Sequence, residues 1–321
     1  MPEPRSGALV IGEALMDLVD DGRSITRSPG GSPANVALGL ARLGVPTRLR
    51  TALADDDDGR AILARLTESG VAVDPESMCL DRTSTALAVL DGKGAAEYDF
   101  DIEWRVASPI HVGSAAVVHS GSIALFLEPG AEAVADALVA RPEGVLVSLD
   151  PNIRPALLGE QTATRATFER LAAAADVVKL SDEDAAWLYP DESLAAVLDR
   201  LLELGVALAA VTRGGAGALL ATRTTRVEVE PLSVRVRDTV GAGDTFMAAL
   251  IAGVLNRDST EPLLELREPD LLRLGRFAAA AAGVTVSRVG ADLPTADEVA
   301  RAQHAAAVDR CTTESAGTIL W

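Results

Sequence analysis

Residues 237–250, Arg-Asp-Thr-Val-Gly-Ala-Gly-Asp-Thr-Phe-Met-Ala-Ala-Leu, carry the most specific chemistry in the chain. Gly241 and Gly243 let the main chain turn tightly and point successive amide N–H groups one way. Phe246, Ala249, Leu250 and Gly253 follow at helical spacing, so a helix is expected to begin here, adding unpaired N–H groups and the positive end of its dipole. The main chain of Gly241, Ala242, Gly243 and Asp244 is therefore an expected anion site. Asp244 stands at its lip. A carboxylate there either supports the helix start or does chemistry beside a bound phosphate, and the residues alone leave both open. A dinucleotide fingerprint is disfavoured because Phe246 occupies its third glycine position, and a P-loop because no Lys follows the glycines.

A second stretch, residues 30–44, opens with Gly30 and Gly31 and runs into Ser-Pro-Ala-Asn-Val-Ala. Ser32 is the expected N-cap, Pro33 suits the first turn, and Gly44 ends the helix. Val36, Leu40 and Leu43 give it a buried stripe. Asn35, in the first turn, either caps or reaches toward hydroxyls beside the two glycines. A third stretch, Asp150-Pro151-Asn152-Ile153-Arg154-Pro155, puts a carboxylate, an amide and a guanidinium on a turn stiffened by prolines. Arg154, a planar and permanently charged fork, suits an anion or a structural salt bridge. Asp17 follows the first expected strand, at the end where open α/β sheets bind ligands; a solvated surface Asp is the alternative. The acidic run 55–58 reads as a solvated loop and helix start, not a metal cluster.

Together these stretches resemble the ribokinase-like (PfkB) carbohydrate kinases. Asp-Thr-Val-Gly-Ala-Gly-Asp-Thr-Phe is similar to the family's carboxyl-terminal signature. Gly-Gly-Ser-Pro-Ala-Asn-Val-Ala is similar to its amino-terminal one, in the form of the fructokinase branch. The two lie in the right order, and the likeness spans nearly the whole chain. It implies that Asp244 deprotonates a sugar hydroxyl, that Asp17, Gly30, Gly31 and Asn35 hold the sugar, and that Arg154 meets the transferred phosphoryl group or the substrate. Ser181-Asp182-Glu183-Asp184 departs from the family's Asn/Ser-x-x-Glu, leaving either Asp184, one methylene shorter, or Glu183 to support Mg²⁺ through water. Ser181, Thr212, Gly214, Gly217 and Gly243 are implied at the nucleotide, although 212–217 alone has the composition of a tight β-turn. Asp238 and the backbone near Val240 are implied for a monovalent cation, K⁺. Tyr98 or Phe100 would cover the sugar's apolar face or pack between lid and body, and Arg105 is a candidate for an acidic substrate. The implied co-substrate is ATP with Mg²⁺, and a homodimer through the lid is the implied assembly. Fructose is the first expected acceptor and 2-keto-3-deoxygluconate the second. A non-catalytic sugar- or nucleotide-binding relative and, last, a nicotinamide dehydrogenase are the competing classes.

The elements needed to position these residues follow from hydrophobic periodicity. Apolar runs predict strands near 8–13, 48–53, 115–120, 145–150, 176–180 and 208–212; alternation predicts strands at 83–90, 95–100 and 231–237. Helices are predicted at 59–69, 270–286 and 295–306. Strand and helix alternate, which argues for a single α/β domain over 1–321 with a doubly wound, mostly parallel sheet flanked by helices. The resemblance adds a small inserted β lid from about 14–30 and 83–106. Residues 307–321 read as a tail.

Composition excludes other classes. With 321 residues and 48% hydrophobic content the chain can bury a large core. A net charge of −18 disfavours nucleic acid or an anionic membrane as partner and requires any phosphate site to be local. Two distant Cys and three scattered His suggest no zinc site and a reducing, cytoplasmic setting. No apolar run reaches the ~18 residues of a membrane span.

Overall fold

A computed structural model describes residues 5–90, 96–257 and 261–316, with side chains described over 5–89, 99–257 and 261–308. The first strand, β1 (Ala8–Ile11), explains the architecture. Its side chains alternate between two apolar clusters, Ala8 and Val10 in one, Leu9 and Ile11 in the other, so the strand is covered on both faces. It pairs in parallel with β4 (Thr47–Arg50) on one side and β8 (Val117–Gly121) on the other. Outward from β4 lies β5 (Val71–Val73). Outward from β8 lie β9 (Leu146–Asp150), β10 (Val177–Ser181) and β11 (Leu208–Thr212), all parallel, then the antiparallel β12 (Ala218–Ala221) and β13 (Arg226–Val229). The chain builds the sheet first one way from β1 and then the other, so the crevice between β1 and β8 is its topological switch point.

One face is covered by α1 (Ser32–Arg42), α2 (Asp57–Glu68), α7 (Ala242–Leu255) and α8 (Glu268–Val286). The other carries α3 (Gly130–Val139), α4 (Gln161–Ala172), α5 (Asp182–Leu188) and α6 (Leu194–Glu203). The central helix α7 is buried on almost every side, as its apolar sequence requires, between α1 and α8. A separate four-stranded sheet, ordered β3-β2-β6-β7, is made from β2 (Leu15–Asp20), β3 (Ile25–Gly30), β6 (Thr85–Leu90) and β7 (Ala96–Asp101). Its β2–β3 hairpin turns where the Asp20-Asp21-Gly22 sequence demands: both carboxylates accept main-chain N–H groups of the turn. The acidic run also behaves as expected, Asp56 capping α2 through Gly59 N at 2.8 Å.

Three expectations are corrected. Residues 231–237 form no strand: Leu232 packs on Gly283 of α8 instead, Val236 is exposed, and the segment pairs with no strand of either sheet. Ser32 is not the cap of α1 but its first residue. Gly31, with φ 100°, is the cap, and the Ser32 hydroxyl is used elsewhere. The last helix, α9 (Ala296–Ala316), continues past 306 into what reads as tail.

Candidate active site

The candidate site groups converge at the carboxyl ends of β1, β8, β9 and β10, beside the starts of α1 and α7. Gly241 is the N-cap of α7 with φ 77°, where a side chain would be strained and would also strike Ala291. The Ala242 N–H turns back onto the Thr239 carbonyl at 3.2 Å. Those of Gly243 and Asp244 meet no acceptor among the described residues and are open to an anion.

Asp244 is 8% exposed, and α1 reaches both of its oxygens. The Ser32 hydroxyl donates to Oδ1 at 2.7 Å and Asn35 Nδ2 to Oδ2 at 2.8 Å. Burial pushes the Asp244 carboxyl above its ordinary value, against these two hydrogen bonds and the charges of Lys179 and Arg154. The carboxylate thus meets Asn35, one of the residues expected to hold a sugar, and it is more basic than a solvated Asp.

Asp17 of β2 lies over Gly30, where any Cβ would overlap its carboxylate. Burial raises its pKa to about 6, opposed by Arg154 and reinforced by Asp244. A third carboxyl, which feels the Asp244 charge, is one that the sequence reading did not single out. Glu13, just after β1, is 5% exposed, and its Oε2 has no hydrogen-bond partner. Burial pushes its carboxyl up to about 8, against its own backbone, Ser122 and Arg154. At neutral pH it is a neutral acid. Its signal in the sequence was an acidic residue directly ending an apolar strand.

The loop after β9 carries Arg154 to the same place. Its guanidinium makes no ion pair among the described residues and touches only the Ile153 and Asn152 carbonyls, at 3.1 and 3.4 Å, so the salt-bridge alternative lacks a partner. Asn152 (φ 36°) and Ser122 (φ 54°) are the two non-glycine residues with left-handed backbone among those described, and both sit at this end of the sheet. The loop is tied down by Asp184, whose Oδ1 accepts Ile153 N and Oδ2 accepts Ser181 N, while Ser181 Oγ accepts Asp184 N. Asp184 and Ser181 are therefore a capping box at the start of α5. With both oxygens engaged, Asp184 does not fit a metal ion directly. The exposed carboxylate of Glu183 has no partner among the described residues and fits a hydrated divalent ion.

Thr212, Gly214 and Gly217 lie on the β11–β12 turn, with Thr212 Oγ1 donating to Leu180 O at 3.3 Å and Arg213 N to Gly217 O. The Asp238 oxygens accept Val240 N and Gly290 N at 3.1 and 2.8 Å, which ties the approach to α7 to the loop after α8. Phe100 stands in register with Ala86, which pairs with Asp17, so its position shares the Asp17 face of the small sheet. Tyr98 pairs with Ala88, but its side chain lies outside the described residues. Arg105 is not brought to the site. It pairs with Glu103 at 2.7 Å and donates to Cys79 O, and the cations acting on Asp17 are Arg154 and Arg65 instead.

A model of the pfkB family of carbohydrate kinases matches residues 6–298. The chain is 34% identical over 258 residues to the fructokinase of Rhizobium leguminosarum bv. trifolii, covering 77% of this chain and 79% of that protein. Among solved structures it is similar to fructokinase with bound ATP from Xylella fastidiosa, with a TM-score of 0.81, 26% identity and coverage of 93% and 98% of the two chains. It is also similar to a double mutant of fructokinase from Vibrio cholerae O395 in a form bound to fructose, ADP and a potassium ion. There the TM-score is 0.76, at 26% identity over 93% and 99% of the chains.

Proposed function

The chain belongs to the pfkB family of carbohydrate kinases, and we propose that within it this protein is a fructokinase, moving the γ-phosphoryl group of ATP to a primary hydroxyl of fructose. One observation carries the reading: Ser32 and Asn35 from one signature hold both oxygens of Asp244 from the other, at the mouth of an open helix terminus. An alcohol is a poor nucleophile at neutral pH, so Asp244 accepts its proton as the oxygen attacks the γ-phosphorus and the bond to ADP breaks. The amides of Gly243 and Asp244, with Arg154, receive the negative charge on the phosphoryl oxygens. Glu183 would hold a hydrated divalent ion, which would supply further neutralisation of that charge. Gly30, Gly31, Asn35 and Asp17 orient the sugar, and the four-stranded sheet, acting as a lid, excludes water.

The acceptor side of the site is lined by Glu13, Asp17 and Asp244, with Arg154 as its exposed cation. Asp17 and Asp244 there accept hydroxyl protons and repel a carboxylate, and Glu13, neutral, offers a hydroxyl donor, which favours a neutral ketose over 2-keto-3-deoxygluconate. Of the two residues that favoured the acid, Arg105 is spent on Glu103, leaving Arg154 alone. Fructose bound to the Vibrio relative supports the same choice. The test is a phosphorylation screen over fructose, 2-keto-3-deoxygluconate, ribose and nucleosides at one ATP concentration, with and without K⁺. Fructose should lead, faster with K⁺ if Asp238 and Val240 help hold that ion; a lead for the sugar acid overturns the assignment. A second copy of the chain, covering the exposed Ile25 and Val89, which share one face of the small sheet, is the proposed partner. Sedimentation as a monomer at micromolar concentration would remove it.

A further inference from the structure

Lys179 interrupts the apolar strand Val177-Val178-Lys179-Leu180 with a charge and is 3% exposed. Its Nζ donates to Oδ2 of the fully buried Asp150 at 2.8 Å. Buried ion pairs commonly stabilise no more than apolar residues of the same volume, so stability does not account for this one. Its position does. A Cβ on Gly243 would lie 3.0 Å from Nζ, which puts the ammonium against the main chain of the first turn of α7. One hydrogen bond, to Asp150, is made by its three donors among the described residues, and Asp150 Oδ1 is buried without a partner.

We propose that Lys179, anchored by Asp150, is a positioning residue for phosphoryl transfer: a fixed positive charge beneath the first turn of α7, serving the Asp244 carboxylate and the phosphate-binding amides in front of it. The inference rests on the kinase reading above. The groups facing Asp244 are Ser32 and Asn35 of α1, Glu13 after β1, Asp17 of β2, Arg154 after β9, Asp150 at the end of β9 and Lys179 of β10. Of the two cations, Arg154 is exposed and screened by solvent, whereas Lys179 acts through protein. Burial works against the Lys179 ammonium, but Asp150, Asp184 and Asp244 together outweigh it and keep its pKa above the ordinary lysine value. His119, the other titratable group near it, is held neutral by burial, its pKa pushed down to about 3.

The test compares wild type, Lys179→Met and the double variant Asp150→Asn/Lys179→Met by kcat and KM for fructose and ATP across pH, with thermal melts. The double variant removes the unpaired carboxylate that the single one leaves buried, so it should melt near wild type. It should nevertheless stay roughly tenfold or more slower in kcat, with KM within about threefold. The acid limb of the kcat profile should move up by on the order of one pH unit in Lys179→Met, as expected when a cation near a carboxylate is removed, and by less in the double variant, where loss of the Asp150 charge offsets part of the effect. A double variant with wild-type kcat and acid limb means that Lys179 merely neutralises Asp150, and the inference falls while the kinase reading stands. Absence of turnover in wild type removes the kinase reading itself, and this one with it.

Discussion

At the scale of single residues, the site works by placing acids in different environments. Asp244 is buried but held by two neutral donors and two cations, an environment that suits the base of the proposed reaction. Glu13 lacks a partner for Oε2 and is neutral near pH 7. Its folded pKa, about 8, lies above the ordinary 4.5, so its contribution to stability is complete below 4.5 and lost as pH rises through 8. At about 1.4 kcal/mol per pKa unit, ionising Glu13 costs a few kcal/mol. Glu13→Gln, always neutral, should therefore gain on wild type in denaturant melts as pH goes from 5 to 9. A constant difference between the two proteins over that range would show that Glu13 is already ionised in the fold. Neither Glu13 nor Lys179 was legible as a functional residue in the sequence. Their significance comes from burial and from neighbours far away in the chain, although a lone Lys inside the apolar run 177–180 was a visible anomaly.

At the scale of elements, the distance between α1 and α7 sets the contact from Ser32 and Asn35 to Asp244. That distance depends on Gly39: a Cβ there would lie 2.8 Å from the Cβ of Ala248 on α7 and 2.6 Å from Leu293. Two effects oppose each other in Gly39→Ala. Alanine favours the helix by about 1 kcal/mol, while overpacking a close-fitted core costs about 1–3 kcal/mol. Packing should win, so the variant should melt lower than wild type and turn over more slowly as the helices part. A higher melting temperature would mean that the helices do not need this contact. Most elements were legible because fully buried parallel strands leave uninterrupted apolar runs, and the strand 208–212 was placed to the residue. Residues 231–237 have the right alternation but pair with no strand, Leu232 being turned onto α8 instead, and periodicity carries no information about which neighbour a segment finds. The capping box of Ser181 and Asp184 was likewise hidden, because the same two residues fit a nucleotide site equally well on paper.

At the scale of the whole molecule, the sheet turns on β1 and β8, and this brings two ends of the chain to one point. Ser32 and Asp244 are separated by 212 residues in sequence and 2.7 Å in space. The net charge of −18 is countered at the proposed phosphate site by local means: open amides, Arg154 and buried Lys179. Everything else in the fold serves that junction, and its chemistry is exposed by one substitution. Asp244→Asn keeps the size of the side chain and removes its capacity to take a proton. The measurement is single-turnover phosphorylation of fructose by ATP, alongside fructose affinity, in that variant and in wild type. A loss of at least about 10²-fold in the transfer rate with affinity nearly unchanged is the predicted result; transfer at close to the wild-type rate would contradict Asp244 as the base.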